Sequence, residues 1–147
     1  MKRITILILV LAFATTAPGQ DDAELRERAM AAMAKATAFF RQNVATNGGY
    51  LWTYSSDLTM RRGEGRAYDT TIWVQPPGTP AIGLIYVDAF DATGDSAYFQ
   101  AARDVAGALV WGQLSTGGWD SRIDFNPERS KRWHYRRDVE AGDTDPG

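Results

Sequence analysis

Residues 77–119 read as a helix, a tight Gly94-Asp95 corner, a second helix and a Gly117-Gly118-Trp119 turn. A Gly-Gly-aromatic turn has already occurred once, after an earlier helix, at Asn47-Gly48-Gly49-Tyr50. In each copy a glutamine precedes the turn (Gln42, Gln113) and an extended stretch follows it, to Tyr54 and to Phe125. Helical hairpins repeated with one type of turn bury their apolar stripes against neighbouring hairpins, in solenoids or closed α/α rings. The expected fold is therefore all-α, an α/α toroid with extended lips after its Gly-Gly-aromatic turns. Repeats of roughly 30–50 residues need more chain than this to close a ring. The sequence thus predicts an incomplete ring over residues 20–137, a portion of a larger toroid, with a small three-helix protein as the alternative.

The helical stretches follow from spacing and punctuation. Asp21 or Asp22 caps a first helix, with Glu24 placed for a capping box. Leu25, Ala29, Ala32, Met33, Ala36, Phe40 and Val44 recur at helical period up to about Ala45, and Asn47-Gly48 stops it. Thr79 as N-cap with Pro80 after it opens the second helix, whose expected buried stripe is Ile82, Ile85, Tyr86, Ala89 and Phe90. Thr93-Gly94 ends it, and Asp95 or Ser96 caps a third helix with the stripe Tyr98, Ala101, Ala102, Val105, Ala108 and Leu109. The two-residue corner makes these two helices antiparallel.

Between the helices the pattern changes. Residues 50–54, 68–75 and 120–125 favour extended backbone, and Arg61 to Arg66 form a glycine-broken polar loop. A non-helical run as long as 50–76 is more often functional than idle. Residues 128–137 interleave Arg129, Lys131, Arg132, Arg136 and Arg137 with Trp133, His134 and Tyr135. Residues 138–147 read as a flexible acidic tail.

The N-terminus has the layout of a secretory signal peptide over residues 1–19. Met1-Lys2-Arg3 is basic, Ile4 to Ala14 is apolar but too short to span a bilayer, and Ala17-Pro18-Gly19 is a small-residue exit. The expectation is a secreted or periplasmic protein cut near Gly19, with no transmembrane segment. There is no cysteine, so disulfides, thiolate metal sites and thiol nucleophiles are excluded. The formal charge is −2, and the leader holds basic residues but no acid. That balance argues against nucleic acid as a partner. His134 is the single histidine, and no Gly-x-Ser-x-Gly elbow occurs.

Several short signatures lie in a telling order: Pro76-Pro77-Gly78-Thr79-Pro80-Ala81-Ile82-Gly83, then Ala92-Thr93-Gly94-Asp95 with Tyr98, then Ala101-Ala102, then Gln113 through Gly117-Gly118-Trp119. Together they resemble the bacterial pectic acid lyase family, polysaccharide lyase family ten. Gly48-Gly49-Tyr50 and Gly63-Glu64 sit where such proteins carry comparable turns, and the resemblance spans roughly residues 25–137. It implies an α/α toroid that cleaves polygalacturonate by β-elimination with Ca2+, acting on an acidic polysaccharide. The family's acidic metal-site motif has no match here. Asp143-Thr144-Asp145 is a superficial echo, and Tyr68-Asp69-Thr70-Thr71 lacks the context. The turn continues Trp119-Asp120-Ser121-Arg122 where the family has Gly-Gly-Trp-Pro-Gln. The chain alone is therefore expected to turn over no substrate.

The candidate site residues follow the two lips. Arg122 is the candidate catalytic residue and a bidentate partner for a uronate carboxylate. Tyr50, Trp52 and Trp119 are candidate sugar-facing aromatics, and Asp120 a candidate polar contact. Asp120 and Asp124 are candidate calcium ligands, fewer than a protein-only site needs. Their alternative role is as surface carboxylates paired with Arg122 and Arg129. Two other readings stand beside the lyase: a non-catalytic uronan-binding remnant, and a triterpene-cyclase-like toroid through Gln113-x-x-x-Gly117-x-Trp119.

Overall fold

The computed structural model describes residues 20–141; the expected leader (1–19) and the end of the expected tail (142–147) lie outside them. Residues up to Lys35 and residues from Ala36 onward form separate compact units. Helix α1 (Gln20–Phe39) fills the described part of the first, with Asp21 and Asp22 in its first turn, where carboxylates complement the helix dipole. Leu25 and Met33 of its expected apolar side are exposed. In the second unit α1 widens into a π-helical turn, Phe40–Val44, which ends at Ala45 and leaves Val44 buried.

The rest of the second unit centres on α2 (Thr79–Thr93) and α3 (Ser96–Trp111), which pack along one another. Gly94 takes the left-handed conformation that closes α2, and the Asp95 side chain accepts the Ala97 N–H to start α3. The α3 stripe is as expected, with Tyr98, Ala101, Val105 and Ala108 buried. The α2 stripe is turned. Gly83, Tyr86 and Ala89 face inward, whereas Ile85 is 57% exposed. A Cβ on Gly83 would stand 2.7 Å from Val105 Cγ1, so the close approach of the helices selects the smallest residue for the contact.

The all-α toroid is corrected by the extended segments. The described residues form five α-helices and two small antiparallel sheets. Strands β1 (Thr53–Tyr54) and β2 (Arg61–Arg62) make a local hairpin. Strand β3 (Thr71–Trp73) pairs with β4 (Arg122–Asp124), matching Thr71 with Asp124, Ile72 with Ile123 and Trp73 with Arg122. The stretch after the second Gly-Gly turn therefore spends its backbone hydrogen bonds on residues 71–73. It does not form the free lip of a repeated hairpin. After β4, Asn126 caps the short helix α4 (Pro127–Ser130), and α5 (Arg136–Glu140) carries helix into the segment expected to be a frayed tail.

The repeat itself is local. Asn47 and Gly48 both have positive φ, and Thr46 and Gly49 exchange two backbone hydrogen bonds, which makes a two-residue hairpin turn. The second copy is one residue longer: the Leu114 N–H donates to Gly118 C=O, and Gly117 holds the positive φ. A side chain at Gly49 would collide with Ile72, whereas Gly118 has open space around it. The two turns share residue types but deliver Tyr50 into the core and Trp119 to the surface.

Two buried clusters result, one around Tyr50, Tyr86, Tyr98 and Val105, the other around Ile72, Ala108, Ile123 and Tyr135. Thr79 fastens the first turn to α2. It is not the helix cap, which is Gly78; its fully buried hydroxyl accepts from Tyr50 N–H (2.9 Å) and donates to Tyr50 C=O (3.0 Å). Thr79→Val preserves the shape and orphans the Tyr50 N–H, whereas Tyr50 C=O keeps its bond from Trp73 N–H. The expected loss is about 2 kcal/mol in urea unfolding. Thr79→Ser should recover most of it.

Candidate functional site

The β3–β4 register builds the surface around Arg122. Cross-strand pairing sets Arg122 opposite Trp73, with the guanidinium carbon 5.5 Å from the ring centroid. Trp73 in turn meets Trp52 edge-to-face at 5.8 Å. Both indoles are fixed by Gln75: Trp52 Nε1 donates to its backbone carbonyl and Trp73 Nε1 to its side-chain oxygen. Gly63 allows the polar loop to lie directly against the Trp73 ring, where any Cβ would collide. Arg122 is half-buried, and among the described residues its Nε has no acceptor and its guanidinium no carboxylate partner.

Asp120 and Trp119 lead into this surface. Burial alone would raise the Asp120 carboxyl, but donation from Ser121, Trp133 and the backbone N–H groups of Arg122 and Ser121 outweighs it and holds the group below the usual carboxylate range. Trp119 is 44% exposed, and its indole N–H donates to Leu109 C=O at 2.8 Å. That carbonyl lies in the last turn of α3, where acceptors lack intrahelical partners, so Trp119 caps the helix while leaving part of its ring in solvent.

Tyr50 and Asp124 have other work. Tyr50 is buried, and its hydroxyl shares a hydrogen bond with Tyr86 at 2.9 Å. Burial, with that neighbour, pushes the Tyr50 hydroxyl far above the usual range, so it stays neutral and faces no sugar. Asp124 is buried beneath Arg129. Its Oδ2 accepts from Arg129 Nε (2.7 Å), and its Oδ1 from Thr70 Oγ1 (2.6 Å) and the Asn126 N–H (3.0 Å). Burial would raise this carboxyl, and the Arg129 and Thr70 bonds more than offset it, so it titrates below the usual range. The pairing with Arg129 matches part of the alternative role expected from sequence, but Asp124 is buried rather than on the surface, and among the described residues Asp120 makes no ion pair with Arg122. With both oxygens taken, Asp124 cannot join Asp120 as a calcium ligand, and the pair does not fit that ion. Among the described residues no group of three or more acids or histidines is placed to hold a metal. Asp143 and Asp145 lie outside the described residues.

Arginine over an aromatic ring recurs in this part of the chain. Arg129 stands 4.0 Å from the Tyr68 ring centroid, Arg132 3.9 Å from Trp133, and Arg137 3.9 Å from Trp111. Only the Arg132–Trp133 pair lies wholly within the basic-aromatic run 128–137; Tyr68 and Trp111 come from elsewhere in the chain. A second feature had no signal in the sequence: a cleft of about 550 Å³ between the first Gly-Gly turn and α3, lined by Asn47, Gly48, Asp104, Gly107, Trp111 and Phe125 among others.

Among the described residues no helix is long and apolar enough to cross a membrane. Comparison with protein-family models, curated proteins and solved structures gives no match, so the family resemblance stands on its motifs alone.

Proposed function

We propose that this chain binds a uronate-bearing polysaccharide, of the polygalacturonate type, through Arg122, which the buried Trp73 backs, with the part-exposed Trp52 and the exposed Trp119, three residues before Arg122 in sequence, as sugar-facing aromatics. The observation that carries this reading is Arg122: a half-buried guanidinium on an aromatic pair, with no carboxylate partner among the described residues. A planar guanidinium recognises a carboxylate bidentately, and the desolvated setting strengthens that bond. The exposed parts of Trp52 and Trp119 supply apolar faces for the sugar rings, whereas Trp73, 3% exposed, only backs the guanidinium. The proposal is recognition rather than turnover. β-Elimination needs a base at the C5 proton, and Asp120, held below the usual carboxylate range, is a weak one.

Calorimetric titration with oligogalacturonates tests this. Binding that weakens as salt is raised is expected, with no binding of uncharged galacto-oligosaccharides at the Arg122 surface. Ultraviolet absorbance of the same mixtures should show no unsaturated product. Absence of any heat with oligogalacturonates would contradict the proposal.

A further inference from the structure

The cleft beside α3 is chemically distinct from the Arg122 surface. One wall is apolar: Trp111 and Phe125 lie with ring centroids 4.5 Å apart, and Trp111 is braced from behind by Tyr135 at 5.1 Å. The polar part of the lining is Asn47 on the hairpin turn and Asp104, two turns before Trp111 on the same face of α3. Its volume of about 550 Å³ is that of a small-molecule site.

The charges around the cleft cancel. Asp104 Oδ2 is paired with Arg41 at 2.7 Å, and Arg137, stacked over Trp111, is paired with Asp138 at 3.0 Å. An anionic ligand would meet the Asp104 carboxylate, and a cationic one would meet Arg41. A neutral ligand meets neither penalty. Asp104 Oδ1 accepts from no described group, so it and the exposed Asn47 amide offer an acceptor and a donor side by side. Hydroxyls both donate and accept, and the C–H face of a pyranose ring is apolar. A neutral sugar ring therefore satisfies the apolar and the polar parts of the lining at once.

Gly107 points the same way. It lies in the middle of α3, where glycine weakens a helix relative to alanine. Every packing reason for it is missing: an added Cβ would meet no atom within 4 Å. Gly83, the glycine within α2, is by contrast wedged against Val105. What the missing side chain at Gly107 leaves open is the cleft floor.

We infer that the cleft formed by Asn47, Asp104, Gly107, Trp111 and Phe125 is a binding site for an uncharged pyranose unit, separate from the Arg122 surface. The inference rests on this cleft's own geometry and not on the uronan reading. The test is a proton–nitrogen NMR titration of the whole chain with neutral β-1,4-linked pentamers of glucose, xylose, mannose and galactose. At least one is expected to shift the Trp111 indole together with the Asn47 and Gly48 amides, and oligogalacturonate to leave them in place. Gly107→Gln fills the floor and should weaken that binding at least tenfold. Gly107→Ala, which adds one methyl, should melt at or above the parent temperature and serves as the folding control. If none of the four sugars shifts those resonances, or if Gly107→Gln binds as the parent does, the inference fails. Oligogalacturonate is read at the Trp52 and Trp73 indoles, so failure at one site is distinguishable from failure at the other.

Discussion

Asp124→Ala is expected to be among the most destabilising single substitutions in the chain, costing ~3 kcal/mol. The side chain is 2% exposed and ties the segment before β3, through Thr70, to α4, through its cap Asn126 and through Arg129. Removing it leaves the Asn126 N–H and the Thr70 hydroxyl without their acceptor and Arg129 without its counter-charge. The loss falls at the lower end of the range for a broken buried pair because the Arg129 side chain is 33% exposed and regains water. The pH dependence follows from the lowered carboxyl. Its contribution is fully present above the unfolded carboxylate value and is lost as pH falls through the depressed folded value. Urea unfolding of parent and variant should thus differ most near neutral pH and converge in strong acid. A constant difference across that range would show that the charge of Asp124 is immaterial.

Gly48→Ala should cost a comparable ~3 kcal/mol, for two reasons that add. Gly48 has φ +86, in the left-handed region that side chains disfavour. The new Cβ would also sit 2.4 Å from the Asp104 carbonyl oxygen, and a helix backbone cannot swing aside as a side-chain tip can. Gly117 is the internal comparison. It has a similar φ, +93, but a Cβ there would meet only the Arg136 Nη2, the tip of a flexible side chain, at 3.8 Å. Gly117→Ala should therefore cost only the backbone part, ~1 kcal/mol. Thermal melts of the two variants separate conformational strain from close approach. Equal losses would mean that the Gly48 turn is not wedged against α3.

That contrast also explains what could be read from the chain and what could not. The α2–α3 hairpin was legible because periodicity, Gly94 and Asp95 are local signals, and the structure uses them as local signals. The toroid was not a sound extension. It took two Gly-Gly-aromatic turns as one architectural unit, although the turns differ in length and point their aromatic residues to opposite environments. Pairing of residues 71–73 with 122–124 joins segments far apart in sequence, and neither carries a mark of its partner. The site shows the same division. Trp52, Arg122 and Asp120 are candidates by residue type, but Trp73, the ring on which Arg122 rests, emerges only from the strand register. Asp124 resembled a ligand because it is acidic and near a turn; burial and Arg129 decide its role. Gly107 gave no sequence signal, because a helical glycine is informative only once the space before it is known.

Recognition of a uronate carboxylate by Arg122 is tested most directly by one substitution. Arg122→Gln keeps a polar side chain over Trp73 and removes the charge; near-ultraviolet circular dichroism should confirm that the aromatic core is unchanged. A charge-assisted bond to the ligand contributes ~1.5–3 kcal/mol. Titration with oligogalacturonate is therefore expected to show at least a tenfold weaker affinity and a shallower dependence on salt. A folded Arg122→Gln protein that binds oligogalacturonate with the parent's affinity and salt dependence would contradict the account.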